Sequence, residues 1–219
     1  MGRSRQFSAL MAILNEMFDS TVFRPIIIFQ TDVDELPTLK GETANFLLSK
    51  KDSINFSYDN ILTAAEKVRA TIYTIIPAMR FTGMSEDEMM QRAKTNLVNT
   101  EKAFAEARNI VFKPNGINWS EKNLKSYFGW LHRQQSATIK VAEFTGGWAN
   151  YLEHPEQADK IYSEIMSGIN MRYIIGYYPT NQTRDGKVRQ VKTEVRGHPE
   201  YVISARKTYI LAAENKRQK

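Results

Sequence analysis

Arg24-Pro-Ile-Ile-Ile-Phe-Gln-Thr-Asp-Val-Asp-Glu35 holds an apolar run, Ile26 to Phe29, and ends in three carboxylates. Ile26 to Phe29 shows no polar alternation and is rich in β-branched side chains, which predicts a strand covered on both faces, as in a parallel α/β sheet. Pro25 lacks the amide proton a ladder needs and therefore opens the strand. In open α/β sheets ligands gather outside the carboxyl ends of the strands, and here that end carries Thr31, Asp32, Asp34 and Glu35.

Around this stretch stand 219 residues, 42% of them hydrophobic, enough for one ample core. A net charge of +6 permits an anionic partner, but positive and negative residues are interspersed and only the last third is clearly basic. The absence of cysteine excludes a disulfide, a thiolate nucleophile and a cysteine zinc site, and His132, His154 and His198 lie far apart. No apolar run approaches the ~20 residues of a membrane span. Met1-Gly-Arg-Ser-Arg-Gln leads into an amphipathic segment, so no signal peptide is expected and the location stays open.

Helical spacing of Phe7, Leu10, Met11, Leu14, Met17 and Phe18 predicts a first helix over 6–18, and irregular surface text fills 36–56. Ser57 caps a second helix to about Ala70, with Ile61, Leu62, Ala65 and Val68 on one face. A strand follows over 71–76, stopped by Pro77. Strand, helix, strand implies a parallel pair with a right-handed crossover, and hence the α/β class. Ser85-Glu-Asp-Glu88 is a capping box for a long helix with an apolar stripe of Met90, Ala93, Leu97, Phe104 and Val111, ended by Pro114-Asn-Gly116. Ser120 caps another helix, closed by Gly146-Gly147. Its aromatic residues Tyr127, Phe128 and Trp130, with Trp119 before it, are expected in the core and not on a base-stacking platform. A short strand over 148–151 and a helix introduced by Pro155 complete this part. Three strand-like runs follow over 173–179, 187–195 and 201–210, separated by Arg184-Asp-Gly186 and Arg196-Gly-His-Pro199. They predict an antiparallel meander. Its wet face of Lys187, Arg189, Lys192 and Arg196 is read as a solubility face, so no nucleic-acid partner is expected.

Three stretches resemble the von Willebrand factor type A (VWFA)-related domain abundant in acidobacterial proteins. Arg24 to Glu35 resembles the fourth sheet strand and its Thr-Asp-Gly loop; Phe144-Thr-Gly-Gly147 with the helix to Met166 resembles the end of the domain; Tyr173 to Tyr209, with Tyr-Ile-Ile-Gly-Tyr-Tyr-Pro and Ser-Ala-Arg-Lys-Thr-Tyr, resembles its tail. The resemblance implies a partial three-layer, Rossmann-like parallel sheet with helices. Residues 1–170 would form a truncated α/β domain lacking its first strands, 171–210 an antiparallel β extension and 211–219 a flexible tail. It also implies a metal ion-dependent adhesion site, of which Asp32 matches the aspartate loop, Ser4 falls where the threonine loop would lie and Asp34 stands nearby. Val33 replaces the usual glycine, and the Asp-x-Ser-x-Ser loop is absent. Mg²⁺ is expected only if a missing N-terminal segment completes the site.

The expected function is therefore a non-enzymatic protein-interaction or adhesion-type module with an unknown protein partner, in a family whose members are often exported. The alternative is a haloacid-dehalogenase-like phosphotransferase with Asp32 as nucleophile and Asp34 as acid/base, although Leu36 stands where that pattern has a hydroxyl residue. Without the first strands of the resembled domain, strand 26–29 is left with an unsatisfied edge, open to self-association or to the missing N-terminal half.

Overall fold

The computed structural model describes residues 5–17, 24–33, 56–111 and 120–211. In chain order these form α1 (Gln6–Glu16), β1 (Ile26–Gln30), α2 (Tyr58–Lys67), β2 (Thr71–Ile76), α3 (Glu86–Ala107), α4 (Glu121–Phe144), β3 (Ala149–Tyr151), α5 (Ala158–Asn170), β4 (Val188–Gln190) and β5 (Thr208–Ile210). The three serine caps are made as the sequence predicts. Ser57 N donates to Asn60 Oδ1 at 2.8 Å, Ser85 N to Glu88 Oε2 at 2.8 Å, and Ser120 Oγ accepts from Asn123 N at 3.3 Å. Each satisfies amides that a helix start leaves without partners.

β1, β2 and β3 form a parallel sheet in that order, with Ile28 opposite Tyr73 and Ile75 opposite Asn150. Successive side chains of a strand point to opposite faces, so the register sorts the core into two halves. On one face Ile72 and Ile76 meet Phe7, Leu10 and Leu14 of α1, Ile61 and Ala65 of α2 and Val141 of α4, with Ile27 and Phe29 packed against the same cluster. On the other face Tyr73 and Ile75 meet Ile161 and Ile165 of α5, beside Trp148 and Ile169. The chain is thus mixed α/β, with helices on both faces of the sheet.

The strand covered on both faces is β2, in which all six residues are buried. β1 is not covered on both faces as its sequence predicts: Ile26 and Ile28 are 36% and 40% exposed. The reason is position. β1 is an edge strand, and α5 lies over β2 and β3, so only Ile27 and Phe29 of β1 turn into the core.

The meander is also smaller than predicted. Only β4 and β5 pair, antiparallel, with Arg189 opposite Tyr209, and residues 173–178 form no strand. Tyr173 and Tyr178 are 93% and 96% exposed, so this run has the composition of a strand without a ladder to join, and a lone strand has little stability of its own. Arg172 Nη2, donating to Thr71 Oγ1 at 2.8 Å, and the edge contact of Tyr177 with Tyr209 at 6.0 Å hold its two ends. α3 ends sooner than predicted. Asn109 takes a left-handed φ of 56° and Ile110 N donates back to Ala105 O at 2.9 Å, which stops the helix before Val111; Val111 and, within the helix, Phe104 of the expected stripe are exposed. Phe128 and Trp130 are core, as expected. Phe18, Pro114, Gly116 and Trp119 lie outside the described residues.

The end of α4 is joined to β2 through backbone. Thr145 Oγ1 accepts from Ile72 N at 3.0 Å and donates to Ala142 O at 2.8 Å, and Thr74 N donates to Trp148 O at 2.9 Å. A Cβ on Gly147 would stand 2.0 Å from the Ile72 carbonyl oxygen, so only glycine permits this approach. Gly147→Ala is expected to destabilise the fold by at least about 3 kcal/mol in urea denaturation, the upper end for overpacking, because the obstacle is backbone. Gly176→Ala, whose Cβ would meet nothing within 4 Å, is the control and should leave the midpoint unchanged.

Candidate functional site

The carboxyl ends of the three strands are where the resemblance and the fold class both direct attention. Asp32 is exposed just past β1, and Gln6 Nε2 at the start of α1 donates to its Oδ1 at 2.8 Å. The Gln6 Oε1 accepts from Thr31 Oγ1, which in turn accepts from Val33 N at 3.0 Å. Val33 is fully buried and has a φ of 59°. A β-branched residue in the left-handed region is a true outlier, costing roughly 1–2 kcal/mol. Burying its side chain returns about 1.5–3 kcal/mol, which offsets the backbone cost of the turn.

Past β2 and β3 the polar groups hold loops. Gln135 Oε1 accepts from Phe81 N at 3.0 Å and from the Tyr151 hydroxyl at 2.9 Å, while its Nε2 donates to Met79 O at 2.8 Å. Glu153 accepts from Arg80 N at 3.0 Å and pairs with Arg92. Burial pushes the Tyr151 phenol above its ordinary range, so it stays a neutral donor to Gln135.

Asp32 is thus brought beside the start of α1, close in sequence to Ser4; Ser4 and Asp34 themselves lie outside the described residues. Asp32 and Glu153 are on opposite sides of β2, and β1 and β3 stand about 10 Å apart, too far for one ion that binds oxygen at ~2.1 Å. Among the described residues no group of three or more histidine, aspartate or glutamate side chains is arranged to hold a metal. Among the described residues, Asp32 and Gln6 bring one carboxylate and one amide together at this strand end.

A second polar cluster carries no sequence signal that we recognised. Glu66, near the end of α2, is 7% exposed; its Oε1 accepts from Arg206 Nη1 at 2.5 Å and from Thr208 Oγ1 at 2.8 Å. Arg206 Nη2 also donates to Ala70 O, and Lys207 N to Phe144 O at 3.1 Å. A Cβ on Gly146 would stand 2.8 Å from Arg206 N, so the tail lies directly on the α4 turn. This cluster fastens β5 to the α/β body. In the basic tail, Arg189 pairs with Asp185 at 2.8 Å and Lys192 pairs with Glu194.

No protein-family model, curated protein or solved structure matches this chain. Among the described residues no helix is long and apolar enough to cross a membrane.

Burial raises the Glu66 carboxyl above its ordinary 4.5, outweighing the Arg206 charge and the hydrogen bonds from Thr208 and Arg206. Between 4.5 and that raised value the folded state binds more protons than the unfolded, so this group's contribution falls as pH rises through the window. The stability of wild type minus that of Glu66→Gln, from urea denaturation at pH 4 to 8, is expected to fall with rising pH. A difference that grows with pH would mean that the Arg206 pairing outweighs desolvation.

Proposed function

We propose that the chain is a non-enzymatic protein-interaction module of the VWFA-related kind, whose metal ion-dependent adhesion site survives only as a remnant at Asp32. The observation that carries this reading is the left-handed φ of Val33 directly after Asp32, at the carboxyl end of β1. The resembled loop has glycine at that position, and a turn that demands positive φ is what glycine would serve. A non-glycine residue held in such a conformation is a pointer to function.

Two further features support it. The parallel order β1-β2-β3 is that of strands on one side of the switch point of a doubly wound sheet. The start of α1 lies against Asp32 through Gln6, which is the neighbourhood the resemblance gives to the threonine loop at Ser4. In this reading residues 1–170 form the α/β domain and 171–210 its extension, and Mg²⁺ enters only where further oxygen ligands complete the shell. The partner is a protein, and no chemical step is assigned to Asp32. A catalytic site would need nucleophile, base and oxyanion donor together. Of the described histidines, His198 bonds Glu200 at 3.0 Å and stacks on Tyr201 in the tail.

Calorimetric titration with Mg²⁺ or Mn²⁺ is expected to give a dissociation constant no tighter than about 10⁻³ M, the weak end of oxygen-ligand sites. Turnover of a generic phosphate monoester should not exceed that of Asp32→Asn. A micromolar metal constant lost in Asp32→Ala would contradict the remnant site, and Asp32-dependent turnover would contradict the non-enzymatic reading.

A further inference from the structure

The outer edge of β1 is an unpaired, uncharged ladder among the described residues. Thr31 N donates to Ile75 O and Pro25 O accepts from Thr71 N, which fixes the direction in which each β1 residue presents its backbone. In a parallel strand the N–H and C=O of one residue point to the same side and alternate along the chain. Residues 25, 27, 29 and 31 therefore face β2, and the N–H and C=O groups of Ile26, Ile28 and Gln30 face away from the sheet. No lysine, internal proline or bulge blunts this edge between Ile26 and Gln30. The side chains of Ile26 and Ile28 add an exposed apolar strip on the α5 face. It is bounded by Tyr162, whose hydroxyl donates to Gln30 Oε1 at 3.1 Å, and Met166 is exposed one turn further along α5.

We infer that this edge binds a second copy of the chain, β1 against β1 and antiparallel, about a two-fold axis through Ile28. The sequence is self-complementary about that residue. Turning Arg24-Pro-Ile-Ile-Ile-Phe-Gln-Thr-Asp32 end for end sets Ile28 on Ile28, Ile26 on Gln30 and Ile27 on Phe29, and it sets the exposed Arg24 of each copy on the exposed Asp32 of the other. Every outward amide and carbonyl of Ile26, Ile28 and Gln30 finds a partner in that register. A shift of one residue sets outward groups opposite inward ones and makes no ladder, and a shift of two keeps a ladder but takes Arg24 away from Asp32. The charge pairing thus selects one register among those the hydrogen bonds permit. The product is one continuous sheet, β3-β2-β1 joined to its symmetry mate, a closed isologous contact. The two α5 helices flank a strip made of both copies of Ile26 and Ile28. Addition of residues 173–178 of another copy would also fill the edge, but it is heterologous and would propagate without closing.

This pairing names one partner for the interaction module proposed above and rests on that reading. Light scattering tests the pairing and turnover tests the reading, so the two fail separately. Size-exclusion with light scattering on the full chain is expected to give twice 25.2 kDa. The chain has no cysteine, so Ile28→Cys offers a single thiol on the axis. Directly opposed antiparallel residues have Cα atoms ~4.5–5.5 Å apart, within disulfide reach. On oxidation Ile28→Cys should form a covalent dimer, and Ile26→Cys should do so only when mixed with Gln30→Cys. Ile28→Lys, which sets two ammonium groups together at the axis, should give a monomer with unchanged circular dichroism. Arg24→Glu should weaken the dimer several-fold, more at low salt, and adding Asp32→Lys should restore it. A monomer at every concentration, open-ended oligomers, or a dimer in which Ile26→Cys alone links as readily as Ile28→Cys would each overturn the inference.

Discussion

Burial of β2 on both faces is the constraint on which the other elements depend. Ile72, Ile75 and Ile76 are fully buried, and each contributes about 1.5–3 kcal/mol by leaving water. That burial needs α1, α2 and α4 on one side and α5 on the other, and the strand also supplies both ladders of the sheet. The backbone approach at Gly147 and the Thr145 hydroxyl bond to Ile72 then bring the end of α4 to the same strand. The tail follows from this arrangement. Arg206 and Thr208 reach Glu66 just before β2, and Arg172 reaches Thr71 at its first residue.

Most of the α/β body was legible in the sequence because its signals are local. Ser57, Ser85 and Ser120 begin helices through side-chain bonds made within three residues, and the β-branched run 71–76 lies between a helix and Pro77. The apolar run at β1 misled for a physical reason. Ile26-Ile-Ile-Phe29 has the composition of a doubly covered strand, but coverage is set by the strand's place in the sheet order, which no window of residues carries. The open face of Ile26 and Ile28 became visible only when β1 stood at the edge.

The tail misled in a similar way. Residues 173–178 have strong β composition, but a strand is a relation between two segments, and only 188–190 and 208–210 found each other. Of the candidate site, Asp32 stands where the strand-end rule puts it. The positive φ of Val33 was not legible, because a β-branched residue gives no signal for the left-handed region. The buried Glu66 with Arg206, 140 residues apart, left no trace that one sequence reveals. Neither residue's neighbours mark it as anything but a helix-surface or strand-surface charge.

Val33, directly after Asp32, shows a non-glycine residue held at positive φ: core packing of its side chain offsets the backbone strain. Glu66 lies on the other side of such a balance: its desolvation exceeds what Arg206 and Thr208 return, and its carboxyl is raised. Amide hydrogen exchange with residue resolution tests the central claim most directly. If β2 is the hub, the amides of residues 72–76 exchange slowest, at the rate of global unfolding, and those of residues 173–178 exchange fastest of the described apolar segments. Protection at 173–178 equal to that of β2 would contradict the account, because it would mean that this run has joined a sheet and that the core is shared with the tail.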